Sequence, residues 1–339
     1  VNITDLHYLS TLRTATETIL REALGEAPKP IALLDAPRHR NLGDSLIWLG
    51  ELQYLTSLGH EIVYTADIGR FFSDDIARLP ADTVLVLHGG GNFGDLYPAH
   101  DSFRRHIVEA HGDRRIVVMP QSIHYQDHET LRHAGAAYSR AADLTLLVRE
   151  NRSLDIAKEN FQGVDVRYCY DAALGAPIED TKSSARDGIL TLARGDQEAL
   201  PADLSLARTA GMRDWEFTPL NSAAWKGAIA VGAAYKRLPG MARRPFYRAN
   251  LAALDYCLRL NVSAALHQFS GRSAVATNRL HAHILAALLG IPHAVADNSY
   301  GKVSSIYEEY TGAFSTAHLV DSLSEAVTTA NDLSRAGSR

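Results

Sequence analysis

The 339-residue chain carries a net charge of −5, with 46% hydrophobic and 22% charged residues, the composition of an ordinary globular protein and the length for two domains rather than one core. This mild acidity excludes a nucleic-acid partner held by a global positive field, although Arg237, Arg243, Arg244 and Arg248 cluster locally. Cys169 and Cys257 lack the spacing of a metal motif or a disulfide framework, and no apolar run reaches the ~18 residues of a membrane span.

Residues 1–24 are polar and amphipathic, unlike a signal peptide. A cytoplasmic protein is expected, touching the inner face of a membrane only through its Arg-rich segment. Beyond residue 24, short β-branched or leucine-rich runs alternate with helical patterns, the signature of βαβ units, and the fold class is α/β. Strands are expected at residues 31–34, 61–65, 83–87, 115–119, 144–148 and 166–168. In open parallel sheets ligands bind beyond the carboxyl ends of the strands, which singles out the residues that follow each one.

After the first strand, Arg40-Asn41-Leu42-Gly43-Asp44 opens a helix striped by Leu46, Ile47, Leu49, Leu52 and Leu55 and stopped by Gly59. Asn41 or Asp44 suits the N-cap, and Asp44 is equally open to a role in a cleft. After the third comes His88-Gly89-Gly90-Gly91-Asn92-Phe93-Gly94-Asp95. Its glycines let backbone approach a ligand closely, and Asp95 could accept sugar hydroxyls or act as a base. The glycines formally fit a dinucleotide fingerprint, but no acidic residue closes a strand ~20 residues on. The next two strands end at Pro120-Gln121-Ser122-Ile123-His124 and Arg149-Glu150-Asn151-Arg152-Ser153. Gln121 offers a polar group to the same cleft, and Arg149 either binds an anion or pairs with a carboxylate.

Residues 175–187 lose all periodicity and mark a linker between an N-terminal domain, 1–178, and a C-terminal domain, 187–339. Strands are expected there at 188–193, 215–219, 264–269, 273–276 and 293–296, with a long helix over 246–260. Arg194 ends the first of these and points to the cleft. Thr277-Asn278-Arg279-Leu280-His281-Ala282-His283 puts an arginine and two histidines at a helix start directly after a strand. Unpaired N–H groups, a permanent guanidinium charge and a titratable imidazole together make an anion site with a proton donor beside it. A solvated helix start with a core histidine is the plainer alternative. Lys302, in Asp297-Asn298-Ser299-Tyr300-Gly301-Lys302, either closes on the ligand or stays in solvent. The architecture expected is two Rossmann-like parallel-sheet domains facing across a cleft, as in GT-B glycosyltransferases.

Taken in order, Asn41-Leu42-Gly43-Asp44, the Gly89–Asp95 loop, Arg149-Glu150, Arg279-Leu280-His281-Ala282-His283, Gly290-Ile291-Pro292 and the Asp297–Lys302 segment resemble the polysaccharide pyruvyl transferase family. The resemblance implies transfer of a pyruvyl group from phosphoenolpyruvate to a sugar of an exopolysaccharide or its lipid-linked precursor, forming a ketal and releasing phosphate. It implies no cofactor and no metal. The partners implied are phosphoenolpyruvate and a saccharide acceptor, polyprenyl-diphosphate-linked in one version, with the Arg237 to Arg248 cluster meeting the diphosphate. By the same resemblance His281 is the general acid, Arg279 offsets phosphate charge, and the backbone of Leu280 contributes to the donor site. Asp95 or Asp44 would serve the acceptor hydroxyl, and Arg149 or Arg194 the second anionic group. Gly43, Gly90, Gly91, Asn92, Gln121, His283 and Lys302 complete the expected binding set. The rivals are a nucleotide-sugar-dependent glycosyltransferase of the same architecture and a non-catalytic glycan-binding relative.

Overall fold

The computed structural model describes residues 2–178, 187–195, 200–209, 212, 214–297 and 301–336. Among them the strands form two sheets. The first holds β1 (Pro30–Leu34), β2 (Glu61–Ala66), β3 (Val84–Leu87), β4 (Gly90–Gly94), β5 (Arg115–His124), β6 (Asp143–Val148) and β7 (Asp165–Tyr168). Their order is β2-β1-β3-β5-β6-β7, with β4 laid on β5. The second holds β8 (Ile189–Leu192), β9 (Ala274–Thr277), β10 (His293–Ala296) and β11 (Ala317–Val320) in the order β11-β10-β9-β8. All pairings are parallel. Parallel strands need crossovers, and the crossover helices cover both faces. That is why β3 reads as an unbroken Val-Leu-Val-Leu, buried along its whole length, rather than as an alternation.

The chain steps from β1 outward to β2 and then back to β3. A crevice therefore opens at the carboxyl ends of β1 and β3, where Asp35 and His88 follow. This is the expected α/β architecture of two Rossmann-like parallel sheets, GT-B-like in arrangement.

Several elements depart from the pattern read in the sequence. The run 264–269 is not a strand but the end of the helix Gly240–Phe269. Asn261, Ala264, Ala265 and Phe269 are buried there at helical spacing, so one face docks on the second sheet. The run 215–219 forms no strand: Trp215 stacks on Phe269 and Phe217 packs on Trp225, while Thr218 caps the helix Pro219–Arg237. β5 continues past Met119 through Pro120, at a shift of register against β6 that spares the ladder the missing proline N–H. The glycine-rich loop is itself strand β4, and β11 had no clear signal. Most of the expected linker, residues 179–186, lies outside the described residues.

Helices tie the two sheets together across the expected division. The helix Ile3–Leu24 starts on the second sheet's side, where Asp5 accepts the amide and hydroxyl of Ser315 at 2.9 and 2.7 Å and the Tyr8 hydroxyl donates to the Tyr310 carbonyl at 2.8 Å. It ends with Leu20, Ala23 and Leu24 in the core beneath β1, β3 and β5. The helix Gly240–Phe269 does the reverse, with Leu254 and Leu258 in that first core and Phe269 in the second. Leu42, Leu46 and Ile47 of the helix Leu42–Ser57 share a core with Leu280, Ile284 and Leu285. Each fully buried aliphatic side chain stabilises by ~1.5–3 kcal/mol, so this apolar seam holds the two walls of the cleft in register.

Candidate active site

A cavity of about 520 Å3 opens between the carboxyl ends of the two sheets. The first sheet contributes Asn41, Gly43 and Asp44 from the turn after β1, Gly91 and Asn92 from β4, and Arg149 after β6. Arg194 after β8, Arg279, Leu280 and His281 after β9, and Lys302 line the other wall.

On that second wall β9 runs straight into the helix Leu280–Leu288, with Arg279 at its N-cap in extended backbone. The Thr277 hydroxyl donates to the Leu192 carbonyl at 2.8 Å and accepts the Arg279 amide at 3.0 Å, which fixes the turn. Asn278 points the other way: it accepts the Arg194 amide at 2.7 Å and donates to Asp203 at 2.8 Å, locking the ends of β8 and β9 together. The Arg279 guanidinium pairs with Asp214. The Ala282 and His283 amides are taken by the Arg279 carbonyl, at 3.1 Å each, while Leu280 and His281, the first two residues of the helix, line the cavity beside that charge, the place where a helix start favours an anion.

The His281 ring crosses to the first wall, where its Nε2 lies 3.5 Å from Oδ2 of Asp171. Asp171 follows β7 and takes the Arg149 guanidinium at 2.6 Å on the same oxygen, while its Oδ1 accepts the Ala173 amide at 2.8 Å. Arg149 also donates to the Ser122 hydroxyl at 2.9 Å, which donates in turn to Glu150 at 2.8 Å. Burial works against the Arg149 charge, but Asp171 and Glu150 outweigh it and raise its pKa further. Burial likewise pushes the Asp171 carboxyl up, and Arg149 and His281 together hold it well below the usual carboxylate range. For Glu150 burial wins, and its pKa is raised in spite of Arg149, Ser153 and Ser122. The pair Arg149–Asp171 is thus a buried ion pair with His281 hung on its open side.

Two glycines make this closeness possible. A Cβ on Gly43 would sit 2.6 Å from Nδ1 of His281, so only glycine lets the helix Leu42–Ser57 pass against the ring. A Cβ on Gly91 would sit 2.5 Å from Nζ of Lys302 and 3.2 Å from Nη2 of Arg149, marking the spot where these two cations converge.

Asn41, not Asp44, is the N-cap: its side-chain oxygen accepts the Gly43 amide at 3.1 Å. Asp44 is thereby left to the cavity, held by the Asn41 amide at 2.8 Å and with His39 at 3.4 Å. Burial raises its pKa, but His39, His88, His281 and His100 outweigh that and keep it a carboxylate. Burial pushes His39 down more than Asp44 pushes it up. Behind them Asp35 takes a φ of 67°, strained backbone for a residue other than glycine. Its carboxylate holds His100 at 2.8 Å and Arg104 at 3.1 Å, and Arg104 grips Asn92 through its carbonyl at 3.0 Å and its side chain.

Four residues expected in the site do not reach it as expected. Asp95 spends its carboxylate on the amides of Gln126 and Asp127, both at 2.8 Å, and does not line the cavity. Gln121 is fully buried in β5 and donates to the His88 carbonyl at 2.7 Å. Gly90 stands behind the wall, its Cβ position 3.8 Å from Asp44. His283 is a core residue. His293 donates from Nδ1 to the Ile291 carbonyl at 2.8 Å, so its Nε2 accepts from His283 at 2.7 Å, and His283 accepts from the Thr311 hydroxyl at 2.7 Å. Burial lowers the pKa of both rings and keeps this relay neutral, His293 at about 4.

The sequence reading missed Asp171, Asp35, His39 and His100. The signal for the two aspartates was present, since each is the first carboxylate beyond the carboxyl end of a strand, β7 and β1. Of the last motif, Asn298, Ser299 and Tyr300 lie outside the described residues. Among the described residues no group of three or more His, Cys, Asp or Glu is arranged to hold a metal ion, and no helix is long and apolar enough to cross a membrane.

Comparison with known proteins bears on the same segments. The family model for polysaccharide pyruvyl transferase matches residues 41–300. Pyruvyl transferase 1 of Schizosaccharomyces pombe is 29% identical over 323 residues, 91% of this chain and 77% of that protein. Putative pyruvyl transferase EpsO of Bacillus subtilis is 30% identical over 299 residues, 87% of this chain and 89% of its own. An uncharacterised protein from Klebsiella pneumoniae shares the fold, with a TM-score of 0.59 at 17% identity over 92% of this chain and 99% of that one. The matched span runs from the N-cap Asn41 past the His281 helix start, and so takes in both walls of the cavity: this chain belongs to the polysaccharide pyruvyl transferase family.

Proposed function

We propose that the protein transfers the pyruvyl unit of phosphoenolpyruvate to a hydroxyl pair on a saccharide, forming a ketal and releasing phosphate. One observation carries the reading: cations from both sheets, a helix start and the Asp171-bound His281 meet in a single cavity that also holds the carboxylate Asp44. The donor bears a phosphate and a carboxylate on a three-carbon frame. Arg279 and the start of the helix Leu280–Leu288 suit the phosphate, and Arg149 with Lys302 at Gly91 suits the carboxylate. Arg194 adds charge at the rim.

His281, as imidazolium, donates a proton from Nδ1 to the methylene carbon, which becomes the methyl group. Asp171, anionic and buried against the other side of the ring, offsets the imidazolium charge before the transfer. The positive character left on C2 is captured by one acceptor hydroxyl, whose proton passes to Asp44 and, through solvent, restores the proton His281 gave up. The C2–O bond to phosphate then breaks, and the second hydroxyl closes the ketal as its proton leaves with the phosphate. Two hydroxyl protons are lost, one is gained by carbon and one by phosphate. No redox partner enters. A lipid-linked acceptor and a free glycan are equally compatible with this chemistry.

The test is phosphate release from phosphoenolpyruvate in the presence of candidate glycans, with mass gain on the sugar. His281→Gln should lower turnover about 10²–10⁴-fold, with donor affinity by calorimetry close to wild type. Turnover of a sugar nucleotide in place of phosphoenolpyruvate, or failure of phosphoenolpyruvate to bind, would overturn the reading.

A further inference from the structure

The helices Pro219–Arg237 and Gly240–Phe269 form a hairpin joined at Leu238 and Pro239. From Phe217 to Leu254 the sequence holds Lys226, Lys236, Arg237, Arg243, Arg244 and Arg248 and neither Asp nor Glu, in a chain whose overall charge is −5. Lys236, Arg237, Arg244 and Arg248 are exposed, and among the described residues none of the four forms an ion pair. Between them stand Met241, 93% exposed, and Phe246, 53% exposed. Large apolar side chains projecting from a cation-rich, carboxylate-free turn are not explained by packing within the chain.

The inner side of the same hairpin is firmly seated. The Tyr247 hydroxyl accepts the Thr65 amide at 2.7 Å and its ring stacks on Tyr64. Arg38 donates to Asn250 at 3.0 Å, and the Arg243 guanidinium lies over the Phe72 ring. These contacts are at the carboxyl ends of β1 and β2, the ends from which the cavity opens. Further along, Asn261 donates to the His39 carbonyl at 2.9 Å, so the hairpin abuts the cavity wall itself.

We infer that the tip of this hairpin docks the protein on an anionic lipid bilayer. Met241 and Phe246 enter the headgroup region, and Lys236, Arg237, Arg244 and Arg248 lie against lipid phosphates. Charge decides between occupants. A second copy placed symmetrically on this face would bring like charges against like with no carboxylate to offset them. A nucleic acid would satisfy the cations but leave the protruding Met241 in water. An anionic membrane satisfies both at once. The inference does not depend on the reaction catalysed, and its test uses no substrate.

The full chain is sedimented with vesicles of phosphatidylglycerol mixed with phosphatidylcholine, and with phosphatidylcholine alone. Binding is expected to the anionic vesicles and to fall as salt is raised. Arg244→Gln with Arg248→Gln should weaken it about 25-fold, roughly fivefold for each charge, and Met241→Ser with Phe246→Ser about tenfold or more, with melting temperatures near wild type. Equal or no binding to the two vesicle types would overturn the inference, as would variants that bind like wild type. Tighter binding to an oligonucleotide than to the vesicles, or a concentration-dependent dimer lost in Met241→Ser, would assign the face to another partner and equally overturn it.

Discussion

On the first-sheet side of the cavity Arg149, Asp171, Asp35 and Arg104 are fully buried and chained, Arg149 to Asp171 and Ser122, Asp35 to Arg104 and to the half-buried His100. On the second-sheet side Arg279 sits at a helix start and is paired with Asp214, whose side chain is 40% exposed. The first wall's charges are set by the core and cannot be removed without disturbing it. On the second wall Arg279 is itself buried, at a turn after a strand, but its loss leaves behind only Asp214, which water can reach. An anion bound as proposed would therefore be held by one rigid and one more adaptable set of cations, with His281 spanning the seam.

Substitution of the buried pair gives the largest contrast between the walls. Arg149→Met and Asp171→Asn should each destabilise by about 3–5 kcal/mol, because each strands an uncompensated buried charge. The double variant should lose clearly less than the sum of the two, read as urea midpoints. Single losses below about 1 kcal/mol would mean the pair is not the keystone of this wall.

Acid should act next, and through the core behind the second wall. The folded value of His293, about 4, lies below the ordinary histidine value, so the unfolded chain takes up protons first. The stability is fully present above pH ~6.5 and is lost as pH falls toward ~4, by about 3 kcal/mol. Asp171 acts the same way only lower, below the ordinary carboxylate range. Unfolding free energy measured across this window should slope steeply in the wild type and less in His293→Gln; equal slopes would exclude the relay as the cause.

Arg279→Gln should change stability by less than ~1 kcal/mol while raising the donor KM about tenfold or more, the worth of a charged hydrogen bond to phosphate. A large fall in melting temperature with unchanged KM would reverse the roles assigned to the walls. Smallest of all, Asp95→Ala should cost about 1 kcal/mol through the lost amide contacts and leave turnover intact. A collapse of turnover there would restore Asp95 as the base in place of Asp44.

The neighbourhood of the site was legible because a buried strand followed at once by polar residues marks the carboxyl edge of a parallel sheet. Arg149, Arg194 and Arg279 each follow that rule, and Asp171 and Asp35 obey it equally. The choice within each motif was not legible. His281 and His283 are two residues apart, about 200° around a helix, so one had to face the cavity and the other the core. Asp44 and Asp95 each lie beside glycines, yet the segment bearing Asp95 forms strand β4 against β5, and its end is drawn to the amides of Gln126 and Asp127.

Local periodicity and the strand-to-turn boundaries determined the α/β class, the parallel sheets and the helix start at Arg279, because those features depend on residues a few positions apart. Tertiary structure alone decided that Asp171, after β7, takes both Arg149 and His281, and that helices from each half brace the other. Arg149 and Asp171 stand 22 positions apart on neighbouring strand ends, whereas Asp171 and His281 stand 110 apart on different sheets; both meetings are set by how strands and sheets pack, which no local pattern encodes.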